Sequence, residues 1–161
     1  MKETKRGMAR SKAPRRRVPL LIGIILVAFV FFVVITMAVN SRKPAVLKLE
    51  KPAKDVKGTY FVKTNQALLQ QMIQNWLPND LFWPTVLLDN MPHFQIGQLE
   101  VVRYNVRILR DNLSRMRTTD KLDPFAEDAF TALSNNPYKW WFPSAESKWK
   151  EGSRNLVQYY E

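Results

Sequence analysis

The chain is 161 residues long, carries a formal net charge of +11 and contains no cysteine. Without cysteine there are no disulfides, thiolate nucleophiles or Cys-based metal sites. The charge would suggest a nucleic-acid binder, but residues 1–17 carry a net of +7, residues 41–63 a net of +5 and residues 64–161 a net of −1. A DNA-binding face would sit on the folded domain. Here the excess flanks an apolar segment, as juxtamembrane charge does beside lipid phosphates, and no specific nucleic-acid partner is expected.

That segment, residues 18–39, reads VPLLIGIILVAFVFFVVITMAV and holds no charge. As a helix it reaches about 33 Å, enough for a hydrocarbon core of about 30 Å. Pro19 falls in the first turn, where its missing N–H is not needed. A cleaved signal peptide has a shorter apolar core and an A-x-A-like site; residues 36–40, TMAVN, offer none. A transmembrane helix is therefore expected, with the lipid bilayer as its partner. Arg15, Arg16 and Arg17 abut one side of the membrane, and Arg42 and Lys43 the other. Within 15 residues of the span, seven Lys/Arg lie on the N-terminal side and five on the C-terminal side. The positive-inside rule then puts the N-terminus in the cytoplasm and the C-terminal domain outside.

Residues 40–57 read as a Lys/Pro-rich linker, extended and solvated, with Pro44 and Pro52 breaking any helix. Residues 58–62, GTYFV, have the composition of one short strand, without an obvious partner. A helix is expected over residues 65–77, capped by Thr64 or Asn65, with Leu68, Leu69, Met72, Ile73, Trp76 and Leu77 on one face. Residues 81–97, LFWPTVLLDNMPHFQIG, read as an ordered aromatic loop containing Pro84, Pro92 and Gly97. The next helix, residues 98–117, has the stripe Leu99, Val102, Val106, Leu109, Leu113 and Met116, with Arg103, Arg107 and Arg110 off it and an Arg107–Asp111 pair along it. Asp123 caps a third helix with Pro124 at its first position, and Asn135-Asn136-Pro137 stops it. Ser144 caps a fourth, through about Tyr160, with Trp149, Gly152, Leu156 and Tyr159 along one side. Glu161 falls inside this pattern with no C-cap signal, which fits a frayed terminus or a longer protein. The fold class is mainly α: one transmembrane helix and a small helical-bundle domain with ordered aromatic loops. Its divisions are a basic cytoplasmic tail (1–17), the span (18–39), the linker (40–57) and a helical envelope domain (58–161).

From about Gly58 onward the chain resembles DUF2333, a family of bacterial inner-membrane proteins of unknown function. The resemblance rests on Leu87-Leu88-Asp89-Asn90-Met91-Pro92 with Phe94 and Gly97, on Arg103 and the run Arg110-Asp111-Asn112-Leu113-Ser114-Arg115, and on Leu133 with Trp140-Trp141-Phe142-Pro143-Ser144-Ala145-Glu146-Ser147. It implies a single N-terminal span and a helical envelope domain, which with the orientation above gives a bacterial inner-membrane protein whose domain lies in the periplasm of a diderm bacterium or at the exterior otherwise. It implies no activity. Family members look longer than this chain, which places a truncation at the C-terminus among the expectations.

No constellation of residues rises to a catalytic motif, and no cofactor or metal site is expected. His93, the one histidine, lies in the turn-like Met91-Pro92-His93-Phe94 and reads as structural or exposed. Asp89-Asn90 is a candidate functional turn, with an Asx-turn as its ordinary role. The arginines of residues 103–117 read as a solvated helix face with intrahelical pairs. Tyr138, Trp140, Trp141 and Phe142 admit three readings: core, interfacial anchor, or a partner-binding hot spot. Burial statistics favour core. With Trp83 from the 82–94 loop, they are the candidate partner-binding residues. The function expected is a non-enzymatic interaction or structural module anchored in the membrane, with an envelope protein as partner. The alternative is a membrane-tethered cell-wall hydrolase using a carboxylate pair that includes Asp89.

Overall fold

Helix α1, Arg17–Asn40, opens the computed structural model, which describes residues 17–49, 57–81, 84–113 and 121–161. From Val18 to Val39 it is apolar all round, as a buried core helix or a membrane span is. None of its apolar stretch, Val18–Asn40, is buried by the rest of the chain, and it is long enough to cross a membrane. Two side chains near its end bond back to the helix. Thr36 Oγ1 donates to Phe32 O at 2.8 Å, and Asn40 Nδ2 donates to Thr36 O at 2.8 Å. Residues 43–49 have no regular secondary structure. They are not free of the domain, since Gln71 Nε2 donates to Ala45 O at 2.7 Å. Residues 50–56 of the expected linker lie outside the described residues.

The strand expected at residues 58–62 does not form, because these residues belong to α2, Thr59–Gln74. Gly58, at φ 92°, takes the left-handed conformation that a side chain would resist and turns the chain into the helix. As helix, the segment buries Val62 on the same face as Leu69 and Met72, whereas a lone strand would have no ladder to join. Thr64 and Asn65 are interior positions rather than caps. Thr64 Oγ1 bonds back to Tyr60 O, and Asn65 is buried, donating to Phe61 O and accepting from Asn105 Nδ2 at 2.8 Å. That pair links α2 to α3. Trp76 and Leu77 lie beyond the end of α2 yet remain buried.

The expected aromatic loop is shorter than its sequence suggests. It contains a 3-10 turn, Thr85–Leu87, and ends where α3, Asn90–Ile108, begins. Pro92 does not break α3, because it sits in the first turn, where backbone N–H groups have no intrahelical acceptor. The apolar stripe of α3 holds at Leu99, Val102, Val106 and Leu109, all buried. Leu113 departs from it and is exposed. A π turn over Leu109–Leu113 is the reason: the wider turn rotates the following side chains off the buried face. Met116 lies outside the described residues.

Helices α4, Pro124–Leu133, and α5, Ala145–Tyr160, form as expected. Asp123 Oδ1 accepts from Ala126 N at 3.0 Å, and Ser144 Oγ from Ser147 N at 3.3 Å. The two helices approach closely at Gly152, where an added Cβ would lie 3.3 Å from Ala129 O and 3.4 Å from Ala132 Cβ.

Helices α2 to α5 make a four-helix bundle in which α2 and α4 each pack on both α3 and α5. Its core includes Leu69, Met72, Leu99, Val102, Leu133, Trp149 and Leu156. Trp76 meets Trp149 edge-to-face, with ring centroids 4.5 Å apart. Successive helices alternate in direction. One end of the bundle gathers the end of α2, the start of α3 and the α4–α5 connection. The other gathers the start of α2, the π turn after α3, the cap of α4 and the end of α5 around a cavity of about 570 Å³. The exit of α1 lies at the first end: Asn40, Arg42 and Lys43 share a crevice with Asn75, Leu77, Met91 and Gln95. Among the described residues the chain has no strand.

Candidate interaction surface

Among the described residues of the bundle and its loops, the α4–α5 connection, residues 134–144, gathers four exposed aromatics, and its backbone explains why. Trp76 Nε1 donates to Pro137 O at 3.1 Å. Asn79 Nδ2 donates to Lys139 O at 3.3 Å and to Glu146 Oε1 at 2.8 Å. Ala145 N donates to Lys139 O at 2.9 Å, and Asn136 Oδ1 accepts from Tyr138 N at 2.9 Å. Asn135 Oδ1 accepts from the buried Trp149 Nε1 at 2.6 Å. The carbonyls of Pro137 and Lys139 thus face the bundle, while the loop's aromatic side chains are exposed. Tyr138 is 58% exposed, Trp140 54%, Trp141 61% and Phe142 92%. The core reading favoured by burial statistics is therefore overturned. The indoles of Trp140 and Trp141 lie beside each other, centroids 5.6 Å apart and tilted by 57°. Trp83 lies outside the described residues.

Arg103 holds the same loop from beneath, a role the sequence reading assigned to a solvated face. Its side chain is 17% exposed. Nε donates to Leu133 O at 2.7 Å, Nη2 donates to Asn135 O, and Nη1 meets Glu100 Oε1 at 2.7 Å. A guanidinium thus satisfies carbonyls at the C-terminus of α4, where positive charge is favoured. The available signal was an Arg in i+3 relation to Glu100, beside the apolar stripe and preceding a helix that lacks a basic last turn. Arg110 stacks over the Phe130 ring at 4.1 Å and binds Asp111 at 2.7 and 3.1 Å. The hydrogen bond that Arg110 donates to Asp111 raises the guanidinium pKa above its ordinary value. The expected Arg107–Asp111 pair is present at 3.6 Å, a looser contact than that of Arg110.

Asp89 and Asn90 mark the start of α3 rather than an isolated turn. Asp89 makes no side-chain cap; its Oδ1 lies 3.0 Å from His93 Nδ1, and both side chains are exposed. His93 is therefore on the first turn of α3, not in a loop. In the cavity at the other end of the bundle, Asp123 is the one carboxylate among the described lining residues, and its Oδ1 is engaged as a cap. Burial pushes the Tyr159 phenol there above its usual range, with a smaller contribution from Asp123. No group of three or more His, Asp or Glu side chains that could hold a metal ion occurs among the described residues. Of the basic residues flanking α1, Arg42 and Lys43 are exposed at its exit. Arg15 and Arg16 lie outside the described residues, as does the side chain of Arg17.

A four-helix bundle carried behind one long apolar helix, with a hydrogen-bonded loop that turns its aromatics outward, defines the class of molecule. The chain belongs to the family DUF2333, described as an uncharacterized protein conserved in bacteria, whose family model matches residues 14–161. No curated protein and no solved structure matches it.

Proposed function

We propose that this protein is a single-pass anchor in the bacterial inner membrane whose periplasmic bundle binds another envelope protein without catalysing a reaction. In this reading residues 1–17 are a cytoplasmic tail, 18–39 the span, 40–57 the linker and 58–161 the binding domain. The observation that carries it is the aromatic loop. Exposed Trp and Tyr on a backbone fixed by side-chain hydrogen bonds lose little freedom on binding, the property of interface hot spots. The greater number of Lys/Arg before the span than after it supports the orientation.

The test is in-cell crosslinking from a photoreactive residue at Phe142, in the parent chain and in the Trp140→Ala/Trp141→Ala variant. A discrete protein adduct in the parent, lost in the variant while the bundle stays folded, is the expected result. Adducts to lipid alone would make the loop a membrane contact and contradict the reading. Adducts to cell-wall polymer, lost in Asp89→Asn, would favour a hydrolase instead.

A further inference from the structure

The 3-10 turn Thr85–Leu87 packs against α1. The half-covered positions of α1 near its exit are Val33, Thr36, Met37 and Asn40, a spacing that puts them on one face. Val33 lies seven residues before Asn40, about 10 Å down the axis at the helical rise. The uncharged run of α1 is scarcely longer than a hydrocarbon core of about 30 Å. In an inserted α1, the covered face therefore begins below the lipid headgroups.

We propose that the 3-10 turn is a membrane foot, seated at the headgroup–acyl boundary beside α1, so that the bundle rests on the bilayer instead of hanging from an extended tether. The inference rests on reading α1 as a membrane span. Val86 and Leu87 are 54% and 56% exposed, and Leu81 is 52% exposed. More than half of each is left uncovered by the described chain, and at this depth what meets that surface is lipid. The run from 84 to 88, PTVLL, is uncharged, and Asp89 follows it. Such a segment enters the interface and stops there, as interfacial apolar elements do. The turn pairs part of its own backbone: Leu87 N donates to Pro84 O at 3.1 Å and Leu88 N to Thr85 O at 2.9 Å. Unpaired backbone is what hydrocarbon excludes. Arg42 and Lys43, exposed where α1 ends, then sit at the level of lipid phosphates. The short contact between Gln71 and Ala45 holds the start of the linker against α2, which keeps the bundle close to that level.

Because the chain has no cysteine, one introduced thiol carries one label. The full chain is reconstituted in phosphatidylcholine–phosphatidylglycerol vesicles as Val86→Cys, Ile25→Cys or Tyr104→Cys. Each variant bears an environment-sensitive fluorophore, and quenching is read against lipids with a nitroxide at the headgroup end or the middle of the acyl chain. The proposal predicts that the Val86→Cys label is blue-shifted and quenched most by the shallow nitroxide. The Ile25→Cys label should be quenched by the deep one, and the Tyr104→Cys label by neither. If Ile25→Cys is lipid-quenched while Val86→Cys behaves like Tyr104→Cys, the foot is overturned and the span stands. If Ile25→Cys is reached by no lipid quencher, α1 is not inserted, and the foot falls with the span.

Discussion

Trp149 and Trp141 are eight residues apart and have opposite roles. Trp149 is fully buried, meets Trp76 edge-to-face and donates to Asn135; Trp141 is 61% exposed. Trp149→Ala should destabilise the bundle by about 3–5 kcal/mol, the cost of a large cavity in a packed core. Trp141→Ala should change stability by less than about 0.5 kcal/mol, as surface substitutions do. Thermal unfolding of the full chain in detergent, followed by circular dichroism, separates the two. Arg103→Met keeps the aliphatic stem and removes the donors to Leu133 O and Asn135 O. It should cost about 1–3 kcal/mol, because both carbonyls lose a charged donor, and it should broaden the indole fluorescence of the 134–144 loop. The role of Arg103 was not legible beforehand, since its acceptors lie some 30 residues away in the chain and only the fold brings them to it.

At the scale of elements, the sequence was most informative where one local chemistry decides the outcome. Asp123-Pro124 and Ser144 cap α4 and α5 as their residue types require. It was least informative where two local signals conflict. Residues 58–62 have the composition of a strand, yet Val62 gains more by joining the buried face of α2. Pro92 signals a break, yet its position in the first turn of α3 makes it harmless. The stripe of α3 was read correctly as far as Leu109; a π turn has no periodic signature, so the departure of Leu113 was invisible. Gly152 tests how closely α4 and α5 pack. Gly152→Leu should cost about 1–3 kcal/mol through overpacking, read as a lower denaturant midpoint. Gly152→Ala should be milder, because the helix-propensity gain of about 1 kcal/mol opposes the tight contact with Ala129 O.

The cavity end of the bundle carries a pH signature. Tyr159 is held above its ordinary pKa of 10.0, mainly by burial. A raised phenol contributes stability that is fully present below the unfolded-state value and is lost as pH rises through the folded-state value. Alkaline unfolding should therefore begin as pH passes about 10, and Tyr159→Phe should flatten that loss. Titration of the denaturation midpoint between neutral and alkaline pH gives the comparison.

In the proposed reading of the whole molecule, the apolar helix, the contact of Ala45 with Gln71 and the outward aromatic loop belong to a bundle standing at a membrane surface. The long apolar helix and the four helices of the bundle were legible because hydrophobic length and period are local properties of the chain. The outward turn of Tyr138, Trp140, Trp141 and Phe142 was not, because it depends on donors from Trp76 and Asn79 that fix the backbone the other way. The central claim is that the bundle is anchored on the outer side of the inner membrane. The most direct measurement is labelling of Lys150→Cys, an exposed position on α5, by a membrane-impermeant thiol reagent in intact spheroplasts. The account predicts full labelling without lysis and retention of the labelled chain in the membrane fraction. Labelling only after lysis would place the bundle in the cytoplasm, and release of the labelled chain to the soluble fraction would remove the anchor; either result would contradict the account.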